Sequence, residues 1–401
     1  MSAPHDQPGA TLAGIRVVEL AQYVFVPSVG AVLADLGADV IRVEHPTQPD
    51  PYRGLRTQGA DNSDAGRAGR WAQTNRGKRS LGLDLKSETG RAVLHRLAAG
   101  ADVVLTSFRP AALRRLGATA KELTALNPRL VFARGDAFGP AGPDGDTPGY
   151  DITAFWARGG IGDLLTDPGA PTLARQPAAF GDRIAAVGLV AGVLAALQRR
   201  ERTGLGGEVT TSLLDAAAWV ASGELVAPTT AAAARGGFAP LVGHYRCADD
   251  RWMTISVLQA ARHWAPLCTV LGRPELTDDP RFATDEARAA HPGELRGVLE
   301  DLFRTRTQAE WCATFAGFEG SWAPVQTVAE LADDPQVAAN EILRPLEDGP
   351  GRVVRAPFRL DEVAPPGRRG PEPGEHTEEV LLDVGYDWPE IGALKAAGAV
   401  T

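Results

Sequence analysis

Cysteine is scarce in this 401-residue chain. The three present, Cys247, Cys268 and Cys312, form no Cys-x-x-Cys pair and lack metal-ligand spacing, so neither a disulfide frame nor a metal site is expected, and a reducing cytoplasm is. Basic residues are outnumbered 50 to 41, for a net charge of −9. That balance argues against a nucleic-acid partner and leaves room only for a local basic site facing an anionic ligand. No apolar run of roughly 18 residues is free of glycine breaks or charge, so no membrane span is expected. Residues 1–10 lack the basic and apolar regions of a signal peptide. The glycines of a dinucleotide fingerprint are missing as well. The turn after the first strand reads Ala21-Gln22-Tyr23-Val24-Phe25-Val26-Pro27, without G-x-G-x-x-G, and an NAD-dependent enzyme is excluded on that ground.

What is present is ordinary globular composition, 44% hydrophobic and 23% charged, over a length that calls for two or three domains. Ile15–Leu20, a helix Ser28–Leu36 and Val40–Glu44 form a strand-helix-strand unit of a parallel sheet. Pro46–Arg70 reads as a polar loop. It leads to Asn75-Arg76-Gly77-Lys78-Arg79-Ser80, a basic turn that is either solvated or a phosphate site, then to a short strand and the helix Ser87–Ala99. Asp102–Ser107 and Arg129–Ala133 are further strands. The loop Gly135–Gly149 delivers Tyr150-Asp151 to the rim where the carboxyl ends of a parallel sheet bind ligands. Glu208–Leu214 adds a strand before a helix at Asp215–Ser222. Composition shifts at Val226–Gly243, where a domain boundary is placed. Beyond it, a strand pair (Tyr245–Val257) and helices at 259–271, 285–291, 294–303 and 307–315 read as a small α+β domain. A Pro-rich stretch, 355–374, precedes two C-terminal helices.

The chain is organised around Phe180–Leu197. From Ile184 to Leu197 it carries no charge and is apolar on every side, which predicts a helix buried within a large domain. Asp182 is the carboxylate at its head. Such an aspartate is either an N-cap or, held ionised and dry at a buried helix terminus, a prepared nucleophile. Asp151 is either a loop-capping residue or a substrate-positioning one.

Several stretches, in order, resemble the family III coenzyme A transferases, a group that also contains the α-methylacyl-CoA racemases. They are Leu12–Leu20, Leu33–Glu44, Asn75–Ser80, Leu126–Val131, Gly149-Tyr150-Asp151, Gly181-Asp182, Thr203-Gly204, Leu213–Ala216, Asp334-Pro335-Gln336 and Gly374–Thr377. The resemblance implies an α/β protein: a Rossmann-like large domain built from both termini (1–225 and, after an extended return, 331–401), a small α+β domain (226–330), and an interlocked homodimer. It implies transfer of CoA from an acyl-CoA to a free carboxylic acid, with no prosthetic group, through a covalent intermediate on Asp182 assisted by Asp151. Positions implied to contact CoA are His45, Leu83, Asp84, Leu85, Lys86, Ser107, Phe108, Arg109, Arg115 and Tyr150.

Departures from the family pattern are informative. Ser107 replaces a usual Asn, Phe25 and Val26 are bulkier than the family's small-residue turn near the thioester, and a glycine-rich lid is matched only by Gly236-Gly237. The racemase branch places a histidine where Tyr150 stands. A phenol with a pKa near 10 is a poor acid or base at neutral pH, so the racemase reading is the alternative, beside a CoA-binding protein without chemistry. His376, heading a C-terminal helix, is read as structural.

Overall fold

β-branched and leucine-rich runs in the first half of the chain form six short parallel strands: β1 (Arg16–Leu20), β2 (Asp39–Glu44), β3 (Arg79–Gly82), β4 (Val103–Thr106), β5 (Val131–Asp136) and β6 (Gly207–Ser212). They lie in the order β3-β2-β1-β4-β5-β6. This is a doubly wound sheet whose direction of winding reverses between β1 and β4. The computed structural model describes residues 10–56, 61–167, 169–226, 239–349, 351–360 and 367–401. The chain divides into two compact units, Met1–Pro228 with Glu341–Thr401, and Thr229–Asn340.

Helices cover both faces of the sheet. On one face α1 (Phe25–Asp35) and α7 (Phe180–Thr203) pack over Val17, Val103, Val131 and Ala133. On the other, α3 (Glu88–Ala99), α4 (Pro110–Leu116) and α5 (Ala120–Leu126) cover Val18, Leu20, Ile41, Val104 and Phe132. Burying these aliphatic side chains on both sides is what a parallel sheet needs. α1 begins at Phe25 rather than at Ser28 as expected. Pro27 is tolerated because it falls in the first turn, where its missing N–H has no helical acceptor.

The expected loop 46–70 is a loop only in its first part. Ser63 caps a helix, α2 (Asp64–Asn75), its hydroxyl accepting from Gly66 N at 3.2 Å. Two glycines and two arginines hide that helix in the sequence. Its buried side is Trp71, Ala72, Thr74 and Asn75.

α7 corrects a second expectation. Ala185, Ala186, Leu189, Val190, Val193, Ala196 and Leu197 are buried, but Val187, Gly188, Ala191 and Ala195 are exposed, so the helix is covered on one side only. By length and composition it could cross a membrane, yet it lies packed on α1 and β6. Gly192 permits the approach to β6: a Cβ there would stand 2.6 Å from Val209.

The last residues return to the sheet's edge. Val380, Leu381, Ile391, Leu394, Ala399 and Val400 join the cluster around Leu81 and Leu83. His376 is tied into this joint, its Nδ1 accepting from Ser80 N at 3.2 Å.

The second unit is built on an antiparallel sheet of β7 (Val242–Arg246), β8 (Trp252–Ser256) and β9 (Ser321–Pro324). Its core is aromatic, with Tyr245 stacked on Phe303 at 4.9 Å and Trp311 at 5.0 Å from Phe303. The three cysteines are free thiols, and burial pushes Cys247 and Cys268 up to about 11. The Gly236-Gly237 pair lies outside the described residues.

Candidate active site

A cavity of 190 Å³ opens where the sheet reverses its winding. The loop after β1 contributes Ala21 and Gln22, the end of β2 Arg42, Glu44 and His45, and the loop after β4 Phe108. The two loops are joined by Gln22 N donating to Ser107 Oγ at 3.3 Å. Leu83, Leu85 and Phe108 give the cavity apolar walls, and Lys86 and His45 add basic groups, with His45 Nε2 3.5 Å from Asp84.

Of the sequence-predicted contacts, His45, Leu83, Leu85, Lys86 and Phe108 therefore line one cavity, and Asp84 borders it through His45. Ser107 and Arg115 only neighbour lining residues. Arg109 heads α4 and donates to Asp146 O at 3.3 Å. Tyr150 sits elsewhere, against Tyr23. Arg42, Glu44 and Asp50 also line the cavity and were missed in the sequence. Their signal is two charged residues interrupting the apolar strand Val40-Ile41-Arg42-Val43-Glu44.

The basic turn is not the phosphate site allowed for it. Arg76 is held by Asp35 at 2.6 Å, and Arg79 by Asp39 at 2.6 Å and by Glu379 and Asp383. Lys78 is buried against both oxygens of Glu19, at 2.8 and 2.9 Å, and donates to Pro27 O. All three cations are consumed inside the fold. Arg42 reaches the same Glu19 at 2.7 Å and pairs with Asp50. Gly30 makes room for this pairing, since a Cβ there would fall 2.0 Å from Glu19 Oε2.

At the head of α7 the arrangement is the opposite. Asp182 lies inside the first turn and caps nothing; the capping group comes from Asp151, whose carboxylate accepts from Gly181 N at 3.1 and 3.2 Å. Asp151 opens the π-helical segment Ile152–Arg158, a rare geometry that turns its side chain toward α7. Residue 181 must be glycine: a Cβ would stand 2.2 Å from the Phe155 ring and 2.5 Å from Asp151 Oδ1. The helix N-terminus thus spends its free N–H groups on Asp151. Asp182, half-buried, is pushed up to about 7, first by loss of solvent and then by the Asp151 charge, with Arg183 opposing. Burial also raises Asp151, while its backbone hydrogen bonds pull the other way. Phe25 and Val26 do not line the cavity; they pack down onto Gly135.

Three tyrosines are linked through Asp50 and a ring contact. Tyr23 and Tyr150 meet edge to face at 5.4 Å. Burial raises the Tyr52 phenol, which also feels the charges of Arg183 and Asp182. Asp50 accepts from the backbone N–H of both Tyr23 (3.0 Å) and Tyr52 (2.9 Å). Among the described residues no His, Cys, Asp and Glu cluster could hold a metal ion.

Fold and site together define a doubly wound α/β protein with a cavity at its switch point and a carboxylate pair at the head of α7. The model of CoA-transferase family III matches residues 12–377, and the chain belongs to that family. It is 30% identical to an (R)-2-hydroxy-4-methylpentanoate CoA-transferase of Clostridioides difficile over 97% of this chain and 99% of that one. It is 31% identical to a cinnamoyl-CoA:phenyllactate CoA-transferase of Clostridium sporogenes, covering 96% and 95%. The crystal structure of a CaiB/BaiF family protein from Brucella suis superposes with a TM-score of 0.79 at 31% identity, covering 92% of this chain and 98% of that one.

Proposed function

We propose that the protein moves CoA from an acyl-CoA thioester to a free carboxylic acid, with Asp182 as the nucleophile. The observation that carries this reading is a carboxylate at the head of α7 that has no hydrogen-bonded cation among the described residues and lies beside a second carboxylate. Such a group is poorly solvated when ionised, and a poorly solvated carboxylate gains by forming a covalent bond.

In the first step Asp182 Oδ attacks the thioester carbonyl, the C–S bond breaks, and CoA leaves as thiolate, giving a mixed anhydride. The thiolate attacks the aspartyl carbonyl and expels the donor acid as carboxylate, leaving an aspartyl-CoA thioester. An incoming carboxylate attacks that thioester, releasing thiolate again and forming a new anhydride. The thiolate takes the new acyl group, and Asp182 returns as carboxylate. No electron pair or proton is left over, and water must be kept out because it would hydrolyse each intermediate.

Asp151 orients the nucleophile by locking the helix terminus. His45, Leu83, Asp84, Leu85, Lys86, Ser107, Phe108, Arg109, Arg115 and Tyr150 hold the CoA moiety; five of these residues line the cavity at the switch point. We place the large domain at 1–225 and 331–401 and the small one at 226–330. The assembly is an interlocked homodimer, for which the uncovered side of α7 and the exposed Trp219 offer apolar surface.

The test is to supply acyl-CoA without an acceptor acid and add hydroxylamine or borohydride. The peptide spanning Gln176–Arg183 should change mass at Asp182 only, and Asp182→Ala should keep less than about a hundredth of the activity, a loss above ~2.7 kcal/mol of transition-state stabilisation. A label on Asp151 instead would exchange the two roles.

A further inference from the structure

Two glycines leave room for one side chain at the β3 edge of the sheet. A Cβ on either Gly82 or Gly374 would collide with the Thr401 hydroxyl. That hydroxyl has a place prepared for it. Thr377 Oγ1 donates to Gly374 O at 2.8 Å and accepts from Gly82 N at 3.1 Å, so its remaining lone pair takes the hydrogen of Thr401 Oγ1, 2.9 Å away. Val400, only 4% exposed, pairs with Leu83, and Ala399 O accepts from Asp84 N at 2.8 Å. These contacts fall just past the sheet, on the wall of the cavity. β3 ends at Gly82, and the chain beyond it is fixed at its start by two backbone bonds, Leu83 N to Glu44 O on one side and Asp84 N to Ala399 O on the other, both 2.8 Å. The Asp84 carboxylate then accepts from Lys86 N at 2.9 Å and lies 3.5 Å from His45 Nε2. Leu83, Lys86 and His45 all line the cavity.

We infer that Ala399-Val400-Thr401 is a positioning segment for CoA binding: it fixes the backbone of Leu83 and Asp84 and, through the Asp84 carboxylate, where the basic groups Lys86 and His45 stand toward the ligand. The inference rests on the reading of the cavity as the CoA site. Without the segment Asp84 N–H has no acceptor on that flank, Leu83 loses its apolar cover, and Lys86 and His45 have to be ordered by the ligand itself. Ordering them on binding draws on binding free energy, so affinity falls. None of the three residues needs to touch CoA for this to hold.

The experiment is a calorimetric titration of CoA into the wild-type protein and four variants, with a urea midpoint for each. Deleting residues 399–401 is expected to weaken binding roughly tenfold, the worth of one well-placed hydrogen bond. Thr401→Val, which keeps the shape and loses the hydroxyl, shifts Kd in the same direction by a smaller factor, and Thr401→Ser restores it. Val380→Ala, cut into the same buried cluster, is the control: it lowers the urea midpoint and leaves Kd unchanged. A deletion that binds CoA as tightly as wild type overturns the inference, as does a Val380→Ala that weakens binding as much as the deletion. If the deletion does not fold, equal Kd values for Thr401→Val and Thr401→Ser overturn it. A wild-type protein that takes up no CoA overturns the CoA reading of the cavity instead.

Discussion

Two carboxylates of the same unit, Glu19 on β1 and Asp182 in α7, live under opposite conditions. Glu19 is completely buried and completely answered, with the Arg42 guanidinium at 2.7 Å and the Lys78 ammonium at 2.8 Å. Asp182 is less buried, yet its helix terminus is occupied by Asp151 and the strongest charge acting on it is that second carboxylate, opposed by Arg183. One arrangement lowers the energy of an ion and the other raises it. Buried ion pairs earn little net stability, but leaving one partner alone is costly. A fold that answers Glu19 so fully and sets a like charge beside Asp182 separates, on the proposed reading, framework from nucleophile by how it treats charge.

This contrast can be broken from either side. The largest effect is expected at Glu19: Glu19→Ala leaves Arg42 and Lys78 short of a partner in the interior and should cost about 3–5 kcal/mol, read as a lower midpoint in urea unfolding. Asp182→Asn should do the reverse. The wild-type Asp182 pKa is raised from 3.8 to about 7, so the folded state holds that proton longer than the unfolded chain does. Stability is then lost as pH rises between those two values and stays low above. The variant should melt several degrees higher than wild type at pH 8 and show no such gain at pH 3, in paired thermal scans.

A sharper version asks about activity. If the ionised form of Asp182 attacks, kcat/KM should climb with pH to a plateau with a midpoint near 7. Asp151→Asn removes the neighbouring charge and should shift that midpoint to lower pH, whatever it does to the plateau. An unmoved midpoint would detach the two carboxylates from one another. The smallest expected signal is an absence. With Tyr150 where the racemases carry histidine, a 2-methylacyl-CoA incubated in deuterated buffer should gain no deuterium at its α-carbon, and steady uptake would revive the racemase alternative.

Much of the frame was legible because apolar strands and capped helices announce themselves locally. β1, β2, β4 and β5, the switch-point loop and the Gly181-Asp182 pair could be placed from short windows. The failures share one cause, which is that sequence does not name the partner. Arg76, Lys78 and Arg79 looked like a phosphate site because their acids lie elsewhere; Asp383 is 304 residues from Arg79. Asp182 read as an N-cap or a nucleophile because the true cap, Asp151, arrives from another segment, 30 residues from Gly181. The uniform apolarity of Ile184–Leu197 suggested burial all round, and only the packing shows that Val187, Gly188, Ala191 and Ala195 face outward.

The C-terminal return to β3 sets an order of events during synthesis. Gly82 N donates to Thr377 Oγ1, Ser80 N to His376, and Leu83 bridges to Val400. A ribosome must therefore add 320 further residues after Ser80, as far as Val400, before the wall carrying Leu83 and Leu85 can be completed. Until then one flank of the ligand cavity is an open sheet edge, exposed to whatever else can pair with a strand. A nascent chain of this kind gains from a chaperone that shields β3, and a stop codon a few dozen residues early should remove the cavity while leaving the unit of residues 229–340 able to form.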